Sequence, residues 1–134
     1  MPTKTDIIDF LAREFPQNQC VVEQVGECSA TVSHPVGPAQ LRPGGTVSGP
    51  LLMAVADVAL YVAILATIGL VPLAVTTSLN INFLQKPPPG ALLAECRLIK
   101  LGRRLAVGDI GIRSEAGEDL VAHATSTYSI PPIS

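Results

Sequence analysis

PLLMAVADVALYVAILATIGLVPLAV, residues 50–75, decides how this chain is read. Asp57 is its only formal charge. An ionised carboxylate left unpaired in a nonpolar interior costs on the order of several kcal/mol, so such a group finds a partner, changes its protonation or serves chemistry. The stretch carries the marks of a helix. Ser48 offers an N-cap hydroxyl, and Pro50 suits a first turn, where its missing N–H removes no helix bond. Gly69 and Pro72 stop the run. Residues 51–70 are also long enough to cross a bilayer at about 1.5 Å per residue. Against a membrane span, Asp57 lies about a third of the way along, no Lys or Arg cluster flanks the run, and Ala is frequent. A helix apolar on all sides fits the centre of a soluble core, with other elements wrapped round its whole circumference.

Downstream, Leu73 to Phe83 alternates cleanly. Val75, Thr77, Leu79, Ile81 and Phe83 share one face, and Thr76, Ser78, Asn80 and Asn82 the other. Ala91 to Leu101, Leu105 to Ser114 and Leu120 to Ile130 read as further strands, with turns at KPPPG (86–90), LGRR (101–104) and SEAGED (114–119). Short turns between them predict an antiparallel meander. Upstream, the Pro- and Gly-rich loop from Pro35 to Gly49 is neither helix nor central strand. Cys20 to His34 reads as one strand, with Cys28, Ala30 and Val32 on its buried face and a bulge at Gly26. Asp6 to Phe15 reads as a short amphipathic helix, with Ile7, Ile8, Leu11 and Phe15 roughly at helical spacing, Thr5 or Asp6 as cap and Pro16 as stop. Together these elements predict one α+β domain over residues 1–134. An antiparallel sheet of five to six strands curls round one long central helix, with a short N-terminal helix in front.

Composition narrows the function classes. A chain of 134 residues suits a single domain with a real core, and 48% hydrophobic residues argue against disorder. A net charge of −2 and the absence of Trp argue against a nucleic-acid partner. Cys20, Cys28 and Cys96 are odd in number and lack metal-type spacing, so they read as free thiols in a reducing compartment. The opening MPTKTDIIDFLAREFP carries acids and has no apolar signal region. The expectation is a soluble cytoplasmic protein with no nucleic-acid and no membrane partner.

The stretch RPGGTVSGPLLMAVADVALYVA (42–63), followed by VTTSLNINFLQKPPPG (75–90), resembles the hot-dog fold acyl-CoA thioesterases. It is most similar to the branch of phenylacetate-pathway and 4-hydroxybenzoyl-CoA-type enzymes. The resemblance covers roughly residues 20–131. It implies the hot-dog fold and hydrolysis of a small, medium-chain or aryl acyl-CoA to free acid and CoA, with no cofactor. It also implies an obligate homodimer, commonly assembled into a homotetramer, in which the acid of one subunit faces the helix start of the other. In that resemblance Asp57 matches the catalytic acid, acting as general base on water or as nucleophile. Gly49 matches the glycine whose backbone N–H polarises the thioester carbonyl. Thr76 matches the hydroxyl that positions water or the carboxylate. The chain departs from the family where Ser48-Gly49-Pro50 replaces His-Gly-Gly, where Arg42 replaces an Asn, and where Ser78 replaces an Asp. Pro50 brings no N–H. Arg42 is suited to orient a carbonyl, a substrate carboxylate or a CoA phosphate.

The residues support part of this without the family. A helix N-terminus presents unpaired N–H groups and partial positive charge, which suits an oxyanion developing at Gly49. Each candidate has a structural reading as well. Asp57 pairs with Arg42 or another buried donor, Gly49 serves a tight turn, and Thr76 is an ordinary β-branched strand residue. Tyr61, one turn after Asp57, belongs to core or interface, or walls the acyl pocket. Lys100, Arg103 and Arg104 form the one basic cluster, either a solvated turn or a contact to CoA phosphates. His34 and His123 have no metal-like neighbours, and no metal is assigned. Two rival functions stay open. One is non-catalytic binding of an acyl-CoA or small ligand on the same fold, prompted by Ser48-Gly49-Pro50 and Arg42. The other is a hot-dog dehydratase or hydratase, which calls for a His near the acid, and none lies near Asp57 in sequence.

Overall fold

A computed structural model describes residues 2–87 and 90–132. Pro88 and Pro89, in the middle of the expected KPPPG turn, lie outside the described residues. The order is α1 (Lys4–Glu14), β1 (Val21–Gly26), β2 (Ser29–His34), a 3-10 turn (Pro38–Gln40), β3 (Leu41–Arg42), β4 (Thr46–Val47), α2 (Gly49–Ile68), β5 (Val75–Phe83), β6 (Leu92–Leu101), β7 (Leu105–Ser114) and β8 (Ala122–Ser129). Six strands form one antiparallel sheet in the order β1-β2-β6-β7-β8-β5, and β3 and β4 form a separate small hairpin. The sheet curls over α2, which is the hot-dog arrangement expected from the sequence.

The ends of α2 follow the local chemistry. The Ser48 Oγ accepts the Leu51 N–H at 3.3 Å, Pro50 sits in the first turn, and Gly69, at φ +112°, caps the end with its N–H on Leu65 O. Val58 to Ala66 is buried without interruption. Each large aliphatic side chain buried there, such as Leu60 or Ile64, contributes about 1.5–3 kcal/mol. The N-terminal half differs from the expected full wrapping. Pro50, Met53 and Asp57 fall on one stripe that the chain's own sheet leaves uncovered, and Met53 is 40% exposed.

At Gly108 the backbone of β7 lies close against α2. A Cβ there would lie 2.5 Å from Leu60 Cδ1 and 3.1 Å from Cys96 Sγ. Gly108→Ala is therefore expected to cost about 1–3 kcal/mol of stability, read as a lower midpoint in urea unfolding. An unchanged midpoint would show that the helix has room to move.

Two upstream expectations are corrected. Cys20 to His34 is a hairpin, β1–β2, and not one strand. Its turn places Cys28 at φ +59°, a conformation usually left to Gly or Asn. The Cys28 N–H donates to Thr67 Oγ1 at 3.0 Å, so the end of α2 holds the turn in place of a turn residue. The bulge falls between Val22 and Gln24, not at Gly26. Helix α1 starts at Lys4 and is capped by Thr3, not by Thr5 or Asp6. Thr3 Oγ1 accepts the Asp6 N–H, and Asp6 accepts the Thr3 N–H in return. Its buried side chains are Ile7, Phe10 and Leu11, whereas Ile8 is 42% exposed.

Candidate active site

Asp57 stands half-buried on the uncovered stripe of α2, and Thr76 Oγ1 donates to its Oδ1 at 2.5 Å. A β-bulge makes this contact. Strand β5 pairs with β8, Thr76 opposite Tyr128 and Ser78 opposite Thr127, so Thr77 is one residue too many. Beyond it Leu79, Ile81 and Phe83 lie opposite Ser126, Ala124 and Ala122, the helix-facing residues of β8. Strict alternation would turn Thr76 away from Leu79 and Ile81. The extra residue puts all three on the same face. The expected grouping of Thr76 with Ser78, Asn80 and Asn82 is thus corrected. The Thr77 hydroxyl donates to Thr127 O at 3.2 Å.

Two tyrosines brace the acid. Tyr128 is buried, its OH donates to the backbone oxygen of Asp57 at 3.3 Å, and its ring stacks on Tyr61 at 6.0 Å between centroids. The Tyr61 OH donates to Pro72 O at 3.3 Å. Burial, and secondarily the Asp57 charge, push the Tyr128 phenol well above its ordinary range. Burial and the charge of Glu14 push Tyr61 up as well. Both phenols are neutral donors at physiological pH. Asp57, Tyr61, Thr76 and Tyr128 open on a cavity of about 540 Å³ that Glu14 and Phe15 also wall. No His is among its lining residues.

The other candidates gather at the start of α2. Pro50 has no N–H, the Leu51 N–H goes to Ser48 Oγ, and the Leu52 N–H goes to Ser48 O at 3.3 Å. The Gly49 N–H is left without an acceptor among the described residues. A Cβ at Gly49 would lie 3.2 Å from Phe83 Cζ, so glycine admits the ring of β5 to the helix start. Ser48 acts as the cap. Arg42, Thr46, Gly49, Phe83 and Lys86 line a cavity of about 430 Å³. Gly49 and Asp57 are separated by about 12 Å of helix, at about 1.5 Å per residue, so one chain does not bring both to one carbonyl. The expected alternative of an Asp57–Arg42 pair is not met within the chain, because Arg42 belongs to the Gly49 cavity. Among the described residues, the ion pairs are Arg113–Glu95 and His123–Asp109, and Asp57 is in neither.

Arg103 and Arg104 are exposed in the β6–β7 turn, where Arg104 O accepts the Ile130 N–H at 2.8 Å. Leu105 lies opposite Ser129, and Ser129 opposite Val75. The turn therefore sits at the Asp57–Thr76 end of the sheet, about two strand spacings, or ~10 Å, from Val75. Lys100 is exposed on β6. Tyr128, Glu14, Phe15 and Lys86 line the two cavities and were not candidates in the sequence. Tyr128 and Phe15 look there like ordinary core residues, and only the cross-strand register and the end of α1 reveal their place.

Comparison with known proteins agrees with this architecture. The profile of the thioesterase superfamily matches residues 44–121. The chain belongs to the thioesterase superfamily, a family of thioester hydrolases. A provisionally assigned thioesterase from Silicibacter sp. TM1040 shares 44% identity over 98% of this chain and 94% of its own, with a TM-score of 0.90. The phenylacetic acid degradation protein PaaI from Thermus thermophilus, in a mutant form, shares 25% identity over 92% of this chain and 99% of its own, with a TM-score of 0.73. A thioesterase from Haemophilus influenzae, at 22% identity, covers 98% of this chain and 92% of its own with a TM-score of 0.85, a likeness of fold. No curated protein sequence gives a significant match.

Proposed function

We propose that the protein is a soluble cytoplasmic acyl-CoA thioesterase for uncharged small, medium-chain or aryl acyl groups. It works as a homodimer in which each site takes Asp57 from one subunit and the Gly49 N–H from the other. The observation that carries this reading is the Asp57–Thr76 contact. Thr76 occupies one carboxylate oxygen, no cation among the described residues neutralises the group, and the second oxygen is left for water or a carbonyl carbon.

The open edge of β5 supports the dimer. This nine-residue strand is the edge of the sheet, and Val75 and Phe83 are 56% and 54% exposed. An open edge of this kind invites pairing with a second copy. Antiparallel pairing about a two-fold axis sets the Thr76 end of one β5 against the Phe83 end of the other. Thr76 holds Asp57 and Phe83 packs on Gly49, so Asp57 comes to face Gly49 of the partner subunit. Two such dimers joining gives the homotetramer.

In the reaction, the thioester oxygen accepts the free Gly49 N–H, aided by the positive end of α2. Asp57 either takes a proton from the attacking water or attacks the carbonyl itself. The thiolate of CoA leaves and is protonated; the base route gives the free acid directly, and the nucleophile route leaves a mixed anhydride on Asp57 that a water hydrolyses to the free acid. The Asp57 cavity holds two carboxylates, Asp57 and Glu14, and no cation among its lining residues, which favours an uncharged acyl group. Arg42 and Lys86 by Gly49, and Arg103 and Arg104 at the other end, suit the phosphates of CoA.

Hydrolysis of short, medium, long and aryl acyl-CoAs, read as released thiol, tests this. Turnover of at least one class is expected. Binding without turnover, in a dimer of normal size, would favour the non-catalytic reading that the missing Pro50 donor prompts. Arg103→Ala combined with Arg104→Ala is expected to raise KM for CoA esters about three- to tenfold and to leave pantetheine esters nearly unchanged. Equal effects on both ester types would remove the phosphate role.

A further inference from the structure

Phe15 follows the end of α1 and stands where three cavities meet. It lines the Asp57 cavity, a groove of about 350 Å³ between α1 and β1, and a smaller space of about 230 Å³ beside Cys20, Ala54 and Val58. Its backbone is held on both sides, with its N–H on Leu11 O at 2.8 Å and its carbonyl accepting the Asn18 N–H at 3.1 Å. The α1–β1 groove is apolar, lined by Ile8, Leu11, Pro16, Val21 and Val22. Asn18, its one polar side chain besides the Cys20 thiol, is already engaged. Its Oδ1 accepts the Cys20 N–H at 3.0 Å and its Nδ2 donates to Cys20 O at 3.4 Å. The Cys20 thiol, pushed up to about 12 by burial, stays neutral. Such a groove has nothing to offer a charged or hydrogen-bonding group and suits a hydrocarbon chain.

We infer that Phe15 is the floor of the acyl site. An acyl chain passing Asp57 and Tyr61 ends against the Phe15 ring, and the groove beneath α1 is the space that the ring closes off. The inference rests on the acyl-CoA reading above and makes Phe15 the residue that sets chain length.

The test is calorimetric binding of S-alkyl-CoA thioethers of increasing length, which needs no turnover. Hydrolysis and chain length are thus judged separately. For the wild type, affinity is expected to rise about fourfold per methylene until the chain reaches Phe15, and then to level off. Phe15→Ala is expected to move the plateau out by about two methylenes or more, and Phe15→Trp to draw it in. Ala12, exposed on α1, also lines the groove. Adding Ala12→Phe to Phe15→Ala refills that space and is expected to return the plateau toward the wild type. A plateau that does not move in Phe15→Trp or in Phe15→Ala overturns the inference. So does an extension that survives Ala12→Phe, since the chain then runs elsewhere. Should Phe15→Ala fail to fold, Phe15→Trp decides alone.

Discussion

Asp57→Asn is expected to lower kcat about a thousandfold while the protein keeps its fold and its assembly. The substitution preserves shape, and the amide oxygen still accepts the Thr76 hydroxyl, so the bulge of β5 keeps its anchor. What disappears is the basic, nucleophilic oxygen. Because no cation among the described residues neutralises Asp57, removing the charge strands no ion-pair partner. Thermal stability is therefore expected to hold or rise slightly, the pattern of a group kept for chemistry rather than for packing. Released thiol gives kcat, and melting with size-exclusion elution gives the fold and assembly. Undiminished turnover would end the catalytic role. A single turnover in oxygen-18 water separates the two routes, since label in the Asp57 carboxylate would identify the acid as nucleophile.

The second large effect is a gain. Gly49→Val pushes a side chain against Phe83 and blocks the helix start, so its homodimer is expected to be nearly inactive. Mixed with Asp57→Asn protein and allowed to exchange subunits, two inactive samples are expected to recover about a quarter of wild-type activity. Half of the dimers formed at random are mixed. In each, one site joins an intact Asp57 to an intact Gly49, and the other site has neither. The separation of about 12 Å along the helix makes this outcome depend on the partner. A mixture as silent as its components, with exchange verified, would show that each chain carries its own whole site.

Much of the architecture was legible because single residues announce it. Asp57 stood out as the lone charge in its run, and Ser48, Pro50 and Gly69 bounded α2 as their chemistry requires. The alternation of β6, β7 and β8 gave their bounds to within a residue or two. Three features were hidden for definable reasons. The β1–β2 turn lacks a turn residue because Thr67, far along the chain, supplies the hydrogen bond that holds Cys28. The Thr77 bulge is silent because Val75, Thr77 and Leu79 alternate acceptably as written, and threonine tolerates either face. The gathering of Tyr128 and Glu14 about Asp57, and of Arg42, Phe83 and Lys86 about Gly49, depends on packing, which neither spacing nor composition encodes.

The central helix also sets the order in which the molecule can be made. Its covering strands β6 and β7 begin at Leu92 and Leu105, well after α2 ends at Ile68, and β8, which braces Asp57, comes last. A chain emerging from the ribosome thus displays its most oily segment long before the strands that shelter it exist. Only α1, whose Phe10 meets Tyr61, and the β1–β2 hairpin are available to lean on. Full cover must wait for β6 and β7, and until they arrive the apolar surface of α2 is open to other chains. Losing β8 would take the Tyr128 brace from Asp57 and the neighbouring strand from β5.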